Sequence, residues 1–312
     1  MPAFTATAPG KIILFGEHAV VYGRPAIAVP VRQMRARTVV TADLRGQPGA
    51  VRIQAADIGL DAWLDELEIE HPLKKVVSGI LQELQIGRLP ACRLQITSTI
   101  PVAAGLGSGA AVSVATIRAL MAFLGHSITD ERVSALAYEV EKLHHGTPSG
   151  IDNTVITYAA PVYFKKGGAI EILQLGGHFT VVIGDTGISS PTMVAVGDLR
   201  ELWLADPHHY EVIFDAVSEI VKRARVCIEN GMSQALGSLM DENQTLLEQM
   251  HVSSPELERL VQAAREAGAL GAKLSGGGRG GNMIAMVHPE HAERVANALQ
   301  EAGAVRTWVT MV

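Results

Sequence analysis

Alternating β-branched and polar residues mark strands over 26–31, 35–42, 51–55 and 92–98 in the first half of the chain. Between the last two, residues 73–87 put Val76, Val77, Ile80, Leu81 and Leu84 on one helical face, so a helix interrupts the strands. Residues 110–124 and 131–143 are also spaced as helices, the second behind Thr129, Asp130 and Glu131, a capping residue and an acidic first turn. The small residues Ala110, Ala111, Ser113 and Ala115 suit close packing. After Lys166-Gly167-Gly168 the texture changes: a strand at 179–184 is followed by apolar recurrence at three and four over 192–205, 208–230, 231–250 and 255–268. Strands at 282–287 and 304–310 flank a helix at 289–301 that Pro289 starts. The change of texture puts a domain boundary near 170–178, giving domains of 1–175 and 176–312.

Three stretches carry chemistry within this pattern. The first, APGKIILFGEHAVVYG at 8–23, opens with the turn signal Pro9-Gly10, which delivers Lys11 to the start of an apolar run that Glu17 and His18 interrupt at its far end. A lone lysine beside a turn is usually a solvated charge; the polar pair on the same run sets this one apart. The second, PVAAGLGSGAA at 101–111, lies between a strand and a helix. Its glycines leave backbone N–H groups free to converge, and the helix behind adds the positive end of a dipole, a combination that holds phosphate oxygens. Ser108 puts a hydroxyl at that helix start, where it also suits an ordinary N-cap. Gly105, Gly107 and Ala110 fit the dinucleotide pattern G-x-G-x-x-A, but residues 124–128 read LGHSI, without the acidic residue expected about 20 positions on.

The third stretch, KLSGGGRGG at 273–281, precedes a strand. So dense a glycine run implies either a close approach of backbone to something or a flexible hairpin, and Arg279 within it faces either solvent or an anion. A carboxylate pair completes the set. Glu141 falls on the last turn of its predicted helix, where its charge opposes the dipole and needs compensation. A divalent cation supplies that, since Mg²⁺ takes one or two carboxylates, a hydroxyl and phosphate oxygens. Asp152 follows the turn Pro148-Ser149-Gly150 and is also open to reading as a simple cap.

Composition narrows the rest. With 48% hydrophobic and 19% charged residues, the 312-residue chain is neither disordered nor collagen-like nor a coiled coil. Its net charge of −6 and lack of a basic window argue against a nucleic-acid partner, so an anionic ligand must be met locally. Cys92 and Cys227 are isolated, which indicates neither a disulfide framework nor a zinc site and fits a reducing cytoplasm. The apolar run at 12–15 is too short for an export signal, and the stretch 101–117 is too short and too rich in small residues to span a membrane. Oligomeric state is not legible, a homodimer being one option.

Taken together, APGKIILFGEHAVVYG, PVAAGLGSGAA, EKLHHGTPSGIDN at 141–153, DTGISSPTMV at 185–194 and KLSGGGRGGN at 273–282 resemble the superfamily named for galactokinase, homoserine kinase, mevalonate kinase and phosphomevalonate kinase (GHMP kinases). Within it, the first and third of these stretches look like mevalonate kinases of prokaryotic type. The resemblance covers nearly the whole chain. It implies an α+β, two-domain small-molecule kinase fold, with an N-terminal mixed α/β domain, a ferredoxin-like C-terminal domain and the active site in the cleft between them. It also implies ATP-dependent phosphorylation of the 5-hydroxyl of (R)-mevalonate, with a sibling kinase such as phosphomevalonate kinase, or a non-catalytic binding protein, as rivals. By the same resemblance, Ala103, Ala104, Gly105, Leu106, Gly107, Ser108, Gly109 and Ala110 wrap the ATP phosphates, and Ser108 with Glu141 holds Mg²⁺. Asp152 matches the catalytic aspartate and Lys11 the lysine that pairs with it. Glu17, His18, Thr192, Ser275, Gly276 and Gly277 fall where the family contacts its substrate or supports the site. The chain departs from the common form at Gly109, at Gly277 and Arg279, where Ala and Gly are usual, and at Ser190, where animal-type members carry Arg.

Overall fold

Residues 26–42 form one continuous strand rather than two. The computed structural model of the chain describes residues 2–102, 104–145, 148–189 and 192–312, without the side chains of His144, His145 and Thr192. In it, β1 (Ala3–Phe15) runs straight through the Pro9-Gly10 pair expected to turn, and β2 (Ala26–Ala42) joins the two stretches read as separate strands. Pro30 lies outside the segments of β2 that pair with two later strands. Ala26–Ala28 pair with a strand at Val162–Phe164, and Ala36–Ala42 with one at Cys92–Ser98.

The chain forms two units that interleave in sequence, where the change of texture implied one boundary. The first comprises Met1–Gly10, Arg32–Val102 and Gly107–Ala159; the second comprises Lys11–Val31, Ala103–Leu106 and Ala160–Val312.

In the first unit, β3 (Val51–Ala55), β4 (Leu60–Trp63), α1 (Pro72–Leu84), β5 (Cys92–Ser98), α2 (Ser108–Phe123), α3 (Asp130–His145) and α4 (Ile151–Tyr158) follow one another. β5 lies parallel to β3 and antiparallel to the second half of β2, and β4 pairs antiparallel with β3. Along β5, Cys92, Leu94 and Ile96 are buried while Arg93, Gln95 and Thr97 are exposed, so one sheet face meets a core and the other meets water. α2 is buried over most of its length because its small residues let α1, α3 and α4 close around it. A hydroxyl pair, Thr38 and Thr116 at 3.0 Å, ties it to β2. α1 stops at Leu84, three residues early, because Gln85 turns left-handed. Thr129 caps α3 as its sequence suggested, accepting from the Arg132 N–H at 3.4 Å. α4 went unread, being too short to show a period.

The second unit holds β6 (Val162–Phe164), β7 (Glu171–Ile172), β8 (Thr180–Asp185), α5 (Thr192–Ala205), α6 (Pro207–Glu229), α7 (Ser233–Gln249), α8 (Pro255–Glu266), β9 (Gly271–Ser275), β10 (Asn282–Val287), α9 (Ala292–Glu301) and β11 (Arg306–Met311). Its four-stranded sheet has the order β11-β8-β10-β9 with antiparallel neighbours, and α8 and α9 pack on it side by side. This is the β-α-β-β-α-β ferredoxin-like arrangement, with α5, α6 and α7 added before α8. Every residue of β8, β9 and β10 is buried; β9 went unread because Gly271 and Lys273 break its pattern just ahead of the glycine run.

α7 meets β9 backbone to backbone. A Cβ on Gly271 would stand 1.8 Å from the Gly237 carbonyl oxygen, and one on Gly237 2.3 Å from that of Leu270. Gly271→Ala should therefore lower stability to urea by about 1–3 kcal/mol. Gly197→Ala, on exposed α5 with open space around it, should leave stability level or raise it by about 1 kcal/mol. Equal unfolding midpoints for the two variants would refute the close approach.

Candidate active site

In the first unit, α2 starts at Ser108 with Gly107, at φ 77°, as its cap. The cap is thus glycine and not Ser108, whose half-buried hydroxyl sits in the first turn instead. Gly107 brings no side chain to cap the first turn and no acidic residue lies within that turn, so the positive end of the helix dipole faces outward with a local environment suited to an anion. Gly109 and Ala110 complete that turn, the first exposed and the second buried. Glu141 of α3 is buried, and its Oε1 lies 3.6 Å from where a Cβ on Gly109 would stand. α3 continues to His145, so Glu141 stands farther from its own helix end than the sequence implied, while its carboxylate reaches the N-terminus of α2.

Among the described residues no three His, Cys, Asp or Glu side chains converge on a metal position. Glu141 and the Ser108 hydroxyl are hard oxygen donors at the start of one helix, a set suited to a Mg²⁺ ion that completes its shell with phosphate oxygens and water. Asp152 is the second residue of α4 and half-buried. The cap there is Gly150, at φ 91°, so Asp152 is not the cap but a first-turn carboxylate, a position the helix dipole favours.

In the second unit, the loop leading to α2 is held from two sides. The Leu106 carbonyl accepts from the Lys11 N–H at 3.0 Å, and the Ala104 carbonyl accepts from the Asn282 side-chain amide. Ala104 and Leu106 are buried, Gly105 adopts φ 73°, and Ala103 lies outside the described residues. Lys11 is buried in β1, unlike a solvated lysine beside a turn.

Beyond it, Glu17 and Lys273, both at 0% exposure, form an ion pair, and Lys273 Nζ also donates to the Leu274 carbonyl at 2.6 Å. Burial pushes the Glu17 carboxyl up and the Lys273 ammonium down, each opposed by the other's charge; Lys11 adds a smaller pull on Glu17. Among the described residues Glu17 Oε2 has no hydrogen-bond partner. His18, at φ 59°, places Nε2 3.1 Å from the Gly277 carbonyl, and its buried Nδ1 has no hydrogen-bond partner among the described residues. Burial pushes its pKa from 6.5 to about 4, the Gly277 bond opposing and the charges of Arg279 and Lys273 reinforcing the shift.

The Ser275 hydroxyl donates to the Ile13 carbonyl at 2.9 Å and accepts the Ile13 N–H at 3.2 Å, so it fastens β9 to β1. Gly276 takes φ 93° with open space where a Cβ would be. Thr192 opens α5, its side chain lying outside the described residues.

The second unit therefore gathers Lys11, Glu17, His18, Ser275 and Gly277, and the first gathers Ser108, Gly109 and Glu141. Sequence reasoning gave no role to Lys273 or Asn282. The one available signal was a lysine inside an apolar run, GAKLS, matched by an equally isolated Glu17.

Breaking a buried pair strands one charge. Lys273→Met should cost about 3–5 kcal/mol in urea unfolding, and Glu17→Leu combined with Lys273→Met should recover most of that loss. A double variant no more stable than the single one would show that the pair is not coupled. His18 makes a separate, pH-dependent contribution. Its folded pKa lies below the unfolded value, so the stability it contributes is present above pH 6.5 and lost as pH falls toward about 4. The loss should reach about 3 kcal/mol, and His18→Phe should flatten that part of the stability profile.

Residues 72–160 match the GHMP kinases N terminal domain and residues 209–305 the GHMP kinases C terminal domain. The mevalonate kinase of Thermococcus sibiricus is 38% identical over 96% of this chain and 93% of its own length. Among solved structures, the L. major mevalonate kinase in complex with R-mevalonate superposes with a TM-score of 0.83 at 30% identity, covering 100% of this chain and 96% of that one. The Methanococcus jannaschii mevalonate kinase gives 0.84 at 25% identity, covering 100% and 99%. Identity at this level over almost the full length of both chains, on a shared two-unit fold, leads to one assignment: the chain belongs to the mevalonate kinases of the GHMP kinase family.

Proposed function

We propose that this chain transfers the γ-phosphoryl group of ATP to the 5-hydroxyl of (R)-mevalonate, giving 5-phosphomevalonate, as a Mg²⁺-dependent enzyme of the cytoplasm. The observation that carries the phosphoryl-transfer reading is the glycine-capped N-terminus of α2 with the buried Glu141 carboxylate against its first turn. Mevalonate as acceptor rests on the relatives, one of which is seen with R-mevalonate bound. A phosphomevalonate kinase reading is less favoured, because the solved phosphomevalonate kinase structures share only 17% identity with this chain.

Phosphoryl transfer passes through a loose transition state, so the protein chiefly positions groups and neutralises charge. Backbone N–H groups of residues 103–110 hold phosphate oxygens. Ser108 and Glu141 would hold Mg²⁺, which would neutralise phosphate charge there. Asp152 accepts or orients the acceptor hydroxyl proton, and Lys11 offsets the charge that grows on the transferring group. His18 is neutral at pH 7, and its bare Nδ1 accepts a hydrogen bond from the acceptor. Thr192, Gly276 and Gly277 line the acceptor side; Glu17 and Ser275 act from behind, by holding Lys273 and β1.

A coupled assay with ATP and a panel of acceptors tests the assignment: mevalonate should turn over and phosphomevalonate should not. Asp152→Asn should lower kcat about 10²–10⁴-fold, the range of general-base assistance, with the KM for ATP nearly unchanged. A loss confined to KM would make Asp152 a binding residue. Glu141→Gln should raise the Mg²⁺ concentration needed for half-maximal rate, and an unchanged titration would remove Glu141 from the metal. Gly109→Ser should be mild, since a Cβ there meets Glu141 only at ordinary contact distance.

A further inference from the structure

Arg279 interrupts the glycine run at φ 55°, a conformation that glycine adopts freely and arginine adopts at a cost. Its N–H donates to the Val252 carbonyl at 2.8 Å, its Nε donates to the His251 carbonyl at 3.3 Å, and its Nη1 ion-pairs with Asp198 on α5. His251 is itself left-handed, at φ 58°. Two strained residues thus touch one another, and strain of this kind persists where the surroundings over-determine a conformation. Neighbouring glycines are forced: a Cβ on Gly278 would stand 1.9 Å from the Val252 oxygen, and one on Gly280 2.7 Å from that of Ile188.

The segment wedged in this way is the one whose Gly277 carbonyl receives the His18 ring. A carbonyl only accepts, so Nε2 carries the proton and Nδ1 is left as the bare acceptor. The helix that Arg279 hooks through Asp198 is the one that opens at Thr192. A single side chain therefore braces the supports of two proposed acceptor contacts, at a position where the superfamily's common form carries glycine.

We propose that Arg279 is a positioning residue for acceptor recognition: by gripping Asp198 and the 251–252 turn it fixes the Gly277 carbonyl, and with it the tautomer and orientation of His18. The proposal rests on the reading that His18 and Thr192 face the acceptor. An exposed ion pair is a weak tether, so the effect is modest. Arg279→Gln should raise the KM for mevalonate about fivefold, with kcat and the KM for ATP near wild type. Asp198→Asn should give a similar shift, and the two together no more than either alone, because they remove one contact. Arg279→Gly suits the left-handed backbone and serves if the glutamine variant folds poorly.

The readout that a purely structural role would not move is the ¹⁵N spectrum of the His18 imidazole in the full chain. Wild type should show a single tautomer protonated at Nε2, and the variants a mixture. An unchanged acceptor KM together with an unchanged tautomer would overturn the proposal, as would equal rises in KM for both substrates. Failure of the wild-type chain to phosphorylate mevalonate would instead defeat the functional reading, leaving the imidazole spectrum to decide whether Arg279 governs His18.

Discussion

The Glu17–Lys273 pair constrains the second unit more than any other contact, because neither charge has water to fall back on. Two ions at 0% exposure are stable there only while each answers the other, and the desolvation opposing them is large. The demand propagates. β9 must present Lys273 at the right height, which α7 secures by its glycine contact and by Gln244, whose side-chain oxygen accepts the Leu274 N–H at 2.9 Å. The end of β1 must present Glu17, which Ser275 secures through both backbone groups of Ile13. His18 follows Glu17 directly in the chain, so the strain in its backbone is held by an anchor one residue away.

A chain of net charge −6 that binds nucleotide phosphates has to confine its positive potential to the site. It does so with few cations, mostly hidden. In the second unit Lys11 and Lys273 are buried and Arg279 is engaged with Asp198; in the first, backbone N–H groups and the dipole of α2 offer positive potential without a cation. Such fixed donors need no reorganisation when charge moves, which suits a reaction in which positioning does most of the catalysis.

Much of this was legible in the sequence, and the failures have physical causes. Strands β3, β5 and β10 and helix α5 fall where the hydrophobic period puts them, because each is one element with one kind of neighbour. β1 defeated the turn reading at Pro9-Gly10 because strand pairing overrode a local preference. β9 was hidden because Gly271 and Lys273 break the pattern of its five residues, and α4 by its length. The motifs identified the family directly. The pairing of Lys273 with Glu17 was not legible, since contacts across 256 residues leave no local trace, and Ser108 and Asp152 were each open to a capping role that glycines in fact fill.

The interleaving of the two units bears on how the polypeptide acquires its structure. Residues 11–31 are synthesised long before their partners in β9: the Ser275–Ile13 bonds span 262 positions. Part of this segment meets earlier partners, Lys11 at Leu106 and Ala26–Ala28 at β6, but the Glu17 carboxylate waits for its counter-ion until β9 has been made. All of the first unit's sequence precedes Ala160, whereas the second unit must hold an early segment open for a late one. Long-range closure of this kind slows folding and lengthens the time during which sticky strands are exposed, so expression temperature and chaperone supply should govern the yield of this protein more than the thermodynamic stability of its finished form.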